Sequence, residues 1–386
     1  MLQKLTLILC TFSTIAFNVV AQEKPVDGNI LSLTELGQSL FFDTNLSKNR
    51  TQSCATCHNP NNGFVDARST LAGQAFSMGD DGHSLGDRNA PTAAYAMFSP
   101  PFRKTDKGYY IGGQFLDGRE TDLEGQAGGP PLNPIEMGMP DKASIVIRLQ
   151  ENPDYVIALQ TYFGADIFDN TKDSYRAMAK SIAAYERTEV FAPFDSKYDR
   201  YLRGEYEMNR DEELGRLLFF SQQFTNCNLC HQLHKSPIAA QETFSDYRYY
   251  NIGVPTNVAG RKHNGVPVAT VDHGLMGNPA VADAAEDGKF RTPTLRNIAV
   301  TGPYMHNGVF ADLRTVVQFY NRYNSKAEIN KINPETNAPW GKVVVRETLA
   351  TKELTHGPAL DAERIDALVA FLKTLTDARY EDLLKK

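Results

Sequence analysis

The sequence predicts an all-α protein of two helical units joined by long loops, and three observations predict it. One word occurs twice, as Leu36-Gly37-Gln38-Ser39-Leu40-Phe41-Phe42 and Leu214-Gly215-Arg216-Leu217-Leu218-Phe219-Phe220. Leu and Phe at three- and four-residue spacing form the apolar stripe of an amphipathic helix. Each copy is followed a short distance on by Cys-x-x-Cys-His, at residues 54–58 and 227–231, so the chain reads as an internal duplication. Helical periodicity returns over residues 143–150, 175–189, 313–323 and 362–384. Between these lie segments 112–140 and 250–289, rich in Gly, Pro and Asn. They exceed the usual connection length, which favours binding or catalytic roles. Segment 191–204 is the expected junction, dividing the chain into units 22–190 and 191–386.

Residues 1–21 read as a secretory signal. Lys4 precedes an apolar run, residues 5–20, that is too short to span a bilayer, and Val19-Val20-Ala21 offers the small residues a signal peptidase inspects. Export to the periplasm is therefore expected, with Gln22 as the first mature residue and Cys10 discarded. No later stretch reaches the eighteen or so apolar residues a membrane helix needs, so no membrane span is expected in the mature chain. Lys4 is the only charged residue of the leader, so its removal takes the formal charge from −6 to −7. That balance argues against a nucleic-acid partner.

The remaining cysteines are Cys54, Cys57, Cys227 and Cys230, and His58 and His231 follow the two pairs directly. This is the attachment pattern of c-type haem. Two cysteines three apart reach the two vinyl groups of a porphyrin while the adjacent histidine swings under the iron. Disulfides or a shared zinc site are the competing readings. A disulfide closes a two-residue loop badly, and neither alternative accounts for both histidines. The expectation is two cytochrome c-like domains, each with one covalently bound haem.

Further words follow in order: Phe41-Phe42-Asp43, Gly63-Phe64-Val65-Asp66, Arg88-Asn89-Ala90-Pro91-Thr92, Asp117-Gly118-Arg119, Pro134-Ile135-Glu136-Met137 and Pro293-Thr294-Leu295-Arg296-Asn297. With the two attachment motifs, this series resembles the bacterial dihaem cytochrome c peroxidase and MauG superfamily over nearly the whole mature chain. The resemblance implies a peroxide-reacting haem held by His58 and an electron-transfer haem held by His231. It points to Glu136 as the acid–base group that moves a proton during O–O cleavage, a role that a carboxylate in an apolar pocket can fill. Gln126 matches a second distal residue, and Pro130 would crowd the same pocket.

His83 stands five residues before Arg88. It is either a displaceable ligand of the first iron, as in the peroxidase branch, or a surface-loop histidine. For the second iron the resemblance leaves Tyr320 or Met305 as distal ligand, Tyr320 being the MauG-like choice, with a core role as the alternative for either. A calcium ion is implied at Asn89, Thr301 and Pro303, and His306 is expected near a haem propionate. Arg119, Arg291 and Arg296 are candidate propionate partners, surface salt bridges being the alternative.

One departure concerns the residue before Asp-Gly-Arg. Family members usually carry tryptophan between the haems there, and this chain has Leu116, its single tryptophan being Trp340. Another route through Phe115, Tyr109 or Tyr110, or direct contact of porphyrin edges, would replace that bridge. The implied activity is reduction of hydrogen peroxide to water with electrons from a small redox protein, a cytochrome c or cupredoxin. The rival activities are MauG-like oxidation of a protein or organic substrate, and electron carriage without turnover. A homodimer is the family habit.

Overall fold

A computed structural model describes residues 32–355 and 357–385; the expected secretory leader and Cys10 lie outside the described residues. The first half of the chain carries α1 (Leu33–Phe42), α2 (Cys54–Cys57), α3 (Leu123–Ala127), α4 (Lys142–Gln150), α5 (Pro153–Phe163) and α6 (Thr171–Glu186). The second half carries α7 (Lys197–Leu202), α8 (Arg210–Phe219), α9 (Val258–Asn264), α10 (Leu313–Asn321), α11 (Thr351–Leu354) and α12 (Ala362–Lys373). Strand is confined, among the described residues, to three antiparallel pairings of two residues each. The fold is mostly helical.

Local chemistry starts these helices. The Ser32 hydroxyl accepts the Glu35 amide at the head of α1. Asn209 and Glu212 cap α8 reciprocally, and Asn170 and Asp361 cap α6 and α12. Each cap satisfies amides that the first turn leaves unbonded.

The duplicated word becomes the same helix crossing twice. α1 packs along α6 and α8 along α12. The glycine of each word sits at the point of closest approach. A methyl group added at Gly37 would strike the Ser181 carbonyl oxygen of α6, and one added at Gly215 would strike the Ala367 carbonyl oxygen of α12. The second phenylalanine from the end of each word then anchors a cluster of rings. Phe41 meets Tyr185 and Phe191 edge-on, with centroids 5.5 and 5.6 Å away. Phe219 meets Phe371 and Phe244 at 5.2 and 5.8 Å. Buried apolar side chains accordingly gather into two large clusters, one running from Leu36 to Ala192 and the other from Tyr198 to Leu375.

Four regions differ from the sequence reading. Segment 112–140 includes α3, and segment 250–289 includes α9. The expected junction 191–204 includes a helix the sequence reading did not give it, α7, and Phe191 and Tyr198 within it are fully buried. The helix expected over residues 362–384 ends at Lys373. Asp377 is buried there and accepts hydrogen bonds from the Tyr95 hydroxyl at 2.6 Å and the Asn297 amide at 2.8 Å, partners the chain reaches only by leaving the helix.

Replacing Gly37 or Gly215 by alanine is expected to force the paired helices apart and destabilise the protein by about 1–3 kcal/mol. Thermal unfolding of each variant checks this, and an unchanged melting temperature would contradict the close crossing.

Candidate functional site

Both Cys-x-x-Cys-His motifs end on one cavity of about 520 Å³, whose wall includes all four cysteines and both histidines. The cysteines are free thiols, so the disulfide reading does not hold. Each motif is a single tight turn in which the histidine amide returns to the first cysteine, His58 N–H to Cys54 O and His231 N–H to Cys227 O, both at 2.9 Å.

The two imidazoles are held alike. His58 Nδ1 lies 3.2 Å from Phe64 O, and His231 Nδ1 lies 3.1 Å from Phe244 O. A carbonyl oxygen only accepts, so Nδ1 carries the proton and Nε2 keeps its lone pair, the state a metal ligand requires. Burial favours that neutral form, lowering the pKa of His58 and bringing His231 down to about 4. Both carbonyls come from phenylalanines with left-handed backbone, φ 57° at Phe64 and 55° at Phe244. That conformation is costly for a residue with a Cβ, about 1–2 kcal/mol, and packing of the rings repays it. Phe64 stacks on Phe191 at 4.2 Å, and Phe244 sits within 5.8 Å of Phe219.

Glu136, Gln126 and Pro130 stand on the wall, and the Glu136 carboxyl is close enough to the Cys57 thiol of the first motif to act on it electrostatically. Burial pushes the Glu136 carboxyl above the ordinary glutamate range, against the opposing pull of Arg119 and of the hydrogen bond from Asn133 Nδ2 at 2.8 Å. Gln126 projects from α3. Tyr320, on α10, and Met305 both line the cavity. Burial raises the Tyr320 hydroxyl, and the thiols of Cys230 and Cys227 push it further in the same direction, which puts the phenol beside the second motif. Asn89, Thr301 and Pro303 share the wall, where the Asn89 amide donates to His306 O at 2.8 Å. Among the described residues no cluster of three or more His, Cys, Asp or Glu could hold a metal ion, so a cation at this wall would depend on carbonyl and amide oxygens.

His83 lies away from this cavity. Its side chain is 80 % exposed and its Nδ1 bonds the Asp81 carbonyl at 3.0 Å within a surface turn. His306 lines the cavity, stacked on Phe290 with centroids 3.7 Å apart, and burial lowers its pKa to about 4.

The three arginines part company. Arg296 is fully buried, and four of the five N–H donors of its guanidinium are engaged, gripping both oxygens of Asp199 at 2.5 and 2.9 Å and donating to Ser196 Oγ and Glu242 O. Its charge is already matched by a buried carboxylate and it does not line the cavity, so it is not placed to meet a propionate, which corrects the sequence reading. Arg291 lines the cavity and has only neutral partners, Phe115 O at 3.2 Å and Ser99 Oγ at 3.4 Å. Burial accordingly lowers its pKa. A buried cation lacking a carboxylate fits an anionic group in the cavity. Arg119 reaches the wall while bonded to Asp117 at 3.0 Å and stacked 3.6 Å over Phe115. Leu116 and Phe115 also face the cavity, whereas Tyr109 and Tyr110 do not line it.

Sequence reasoning passed over Glu186. It is 4 % exposed, lines the cavity near Cys54, and its Oε2 has no hydrogen-bond partner. Burial carries its carboxyl up to about 8. The signal was present: Glu186 continues the four-residue series of Met178 and Ile182 on the buried face of α6.

The cavity, thiols, lone pairs and unpaired Arg291 together suit two porphyrins with carboxylate arms. The comparisons agree with this class of protein. Residues 32–207 match the di-haem cytochrome c peroxidase family. The chain is 50% identical over 371 residues to the methylamine utilization protein MauG of Paracoccus denitrificans (strain Pd 1222), covering 96% of this chain and 94% of the relative. It is 32% identical over 290 residues to the cytochrome c551 peroxidase of Pseudomonas aeruginosa, covering 73% and 70%. Among solved structures it is similar to the diheme peroxidase BthA from Burkholderia thailandensis, with TM-score 0.79, 30% identity, and 92% and 88% of the two chains covered. The chain belongs to the di-haem cytochrome c peroxidase and MauG family, and is an oxidoreductase of that dihaem type. No helix among the described residues is long and apolar enough to cross a membrane.

Asp199→Asn should destabilise the protein by about 3–5 kcal/mol, because it leaves the Arg296 charge buried without its partner. Arg291→Met should cost far less in the haem-free chain, where no carboxylate depends on it. Urea unfolding of the two variants tests the contrast, and equal losses would refute the distinct roles given to the two arginines.

Proposed function

We propose that the protein is an exported dihaem enzyme of the MauG kind, which consumes hydrogen peroxide beside His58 and draws the two required electrons from a protein or organic substrate by way of the His231 site. The observation that carries this reading is the phenol of Tyr320 on the wall beside the second motif, the distal group that the MauG resemblance implies. Identity of 50% over nearly the whole length to MauG supports it. A second reading, reduction of peroxide with electrons from a cytochrome c or cupredoxin, is favoured by Leu116, which stands where family members usually carry the tryptophan between the haems.

In both readings the residues have the same tasks. Cys54 with Cys57, and Cys227 with Cys230, would hold the two porphyrins through thioether bonds, and His58 and His231 would ligate the irons. When bound, the haems supply a metal that accepts peroxide and a store of electrons. Glu136, oriented by Asn133, takes a proton from one peroxide oxygen and returns it to the departing one. Gln126 would hydrogen-bond peroxide or water, and Pro130 would crowd the same pocket. Arg291 and Arg119 neutralise propionates. His83 takes the surface-loop role and would not serve as a ligand of the first iron. A calcium ion bound through Asn89, Thr301 and Pro303 would be held by oxygen atoms alone, with the buried, unpartnered Asn307 Oδ1 on the same wall as a further acceptor.

Exported protein should give two covalent haems per chain in a pyridine haemochrome test; one or none would end this account. Glu136→Gln should lower peroxide consumption about 10²–10⁴-fold at unchanged haem content. The base works only when ionised, and burial raises its pKa above 4.5. Turnover should therefore climb with pH through a midpoint above that of an ordinary glutamate, and this limb should vanish in the variant. Equal rates in the two proteins would remove Glu136 from the chemistry. Rapid oxidation of added cytochrome c or cupredoxin at physiological concentration would favour the second reading.

A further inference from the structure

We propose that Tyr250 is a redox-active tyrosine beside the second haem site, with Asp246 as its proton acceptor and Tyr109 as its outlet to the protein surface. This rests on the peroxide chemistry above and deepens it by naming the path along which oxidising equivalents leave the cavity.

The placement is built rather than accidental. Tyr250 lines the haem cavity next to Cys230, whose thiol its hydroxyl affects. That hydroxyl donates to Asp246 Oδ2 at 2.8 Å. Asp246 is itself fixed by the motif, its amide donating to Cys230 O at 2.8 Å, while its Oδ1 accepts the Arg248 amide at 2.9 Å. The Arg248 guanidinium then lies between two rings, 5.5 Å from the centroid of Tyr250 and 3.9 Å from that of Tyr109. Its Nε is buried without a hydrogen-bond partner, and ring contact together with the nearby Asp246 carboxylate holds it. Backbone pairing sets Tyr109 over this stack: Ile111 bridges Arg248, Gly112 N–H donates to Tyr247 O at 2.9 Å, and the Tyr249 hydroxyl donates to Gly112 O at 2.6 Å. Tyr109 is partly exposed. A phenol with a carboxylate at hydrogen-bond distance loses its electron and its proton together and avoids a charged ring in a buried place.

The step balances simply. Reducing one hydrogen peroxide to two waters takes two electrons and two protons. Tyr250 gives one electron to the adjacent haem and its phenolic proton to Asp246, becoming a neutral radical. An electron arriving through Tyr109 from an external reductant refills it, and the proton returns from Asp246 to the phenolic oxygen; two such cycles deliver both electrons, and the two protons consumed come from solvent.

The test uses the holoenzyme, treated with one equivalent of hydrogen peroxide without reductant, frozen and read by electron paramagnetic resonance. Protein grown with ring-deuterated tyrosine is compared with unlabelled protein. Wild type should show an organic radical that narrows on deuteration. Tyr250→Phe, with both haems in place, should lose it, and Tyr109→Phe should keep it while oxidising a bulky phenolic reductant more slowly. In Asp246→Asn the radical should form about a hundredfold more slowly, the scale on which removal of a positioned proton acceptor acts. The haem absorption change on adding peroxide separates the two claims. Its absence in wild type overturns the peroxide reading and this inference together. Its presence with an undiminished radical in Tyr250→Phe overturns this inference alone.

Discussion

The hydrogen bond from each motif imidazole to the carbonyl of a left-handed phenylalanine is the constraint on which the site depends. It fixes the tautomer and aims Nε2 into the cavity at both His58 and His231. The carbonyl can point that way only because Phe64 and Phe244 accept a backbone conformation with φ near 57° and 55°. Neither residue would stay there unaided. Their rings are locked into the aromatic clusters seeded by Phe41 and Phe219, and those clusters are positioned by the helix crossings that Gly37 and Gly215 permit. Sequence word, helix crossing, ring cluster, carbonyl and imidazole form one chain of cause, and the molecule contains it twice.

Much of this could be read before any coordinates. The two attachment motifs and the duplicated helix follow from spacing and word order, whereas Glu136 and Gln126 were reached through the family resemblance, and the single cavity that both motifs share was not foreseen. The reason for the repeated glycine could not, since it lies in carbonyls of helices far away in sequence. Arg296 was misread for a similar reason. Its partner Asp199 stands 97 residues earlier, and nothing local distinguishes an arginine that grips a buried carboxylate from one awaiting a propionate. Arg291 and Arg296 look equivalent in the sequence, and only burial with or without an acid separates them.

Other residues show the limit of periodicity as a guide. Glu186 lies on the apolar face of α6, where a glutamate is an anomaly that spacing alone could have flagged. Tyr320 and Met305 face the same cavity, so shape does not separate them and the case for Tyr320 rests on its closeness to the cysteines. Helix α12 was drawn too long because an apolar pattern continues past Thr374, while Asp377 finds its partners in Tyr95, from the other half of the chain, and Asn297, far from it in sequence.

Those bonds have a further consequence. Asp377 ties Tyr95 to Asn297, and the Tyr380 hydroxyl reaches Pro60 O, two residues beyond His58 and 320 positions away in sequence, at 2.7 Å. Asp87 and Arg88 likewise hold Arg261 and Asp272 through paired charges. The enclosure around His58 thus borrows its far wall from segments made much later. Contacts of such separation form late, after their loop-closure entropy has been met. As the polypeptide emerges, its earliest haem pocket stays unfinished until the latest part of the chain arrives to close it.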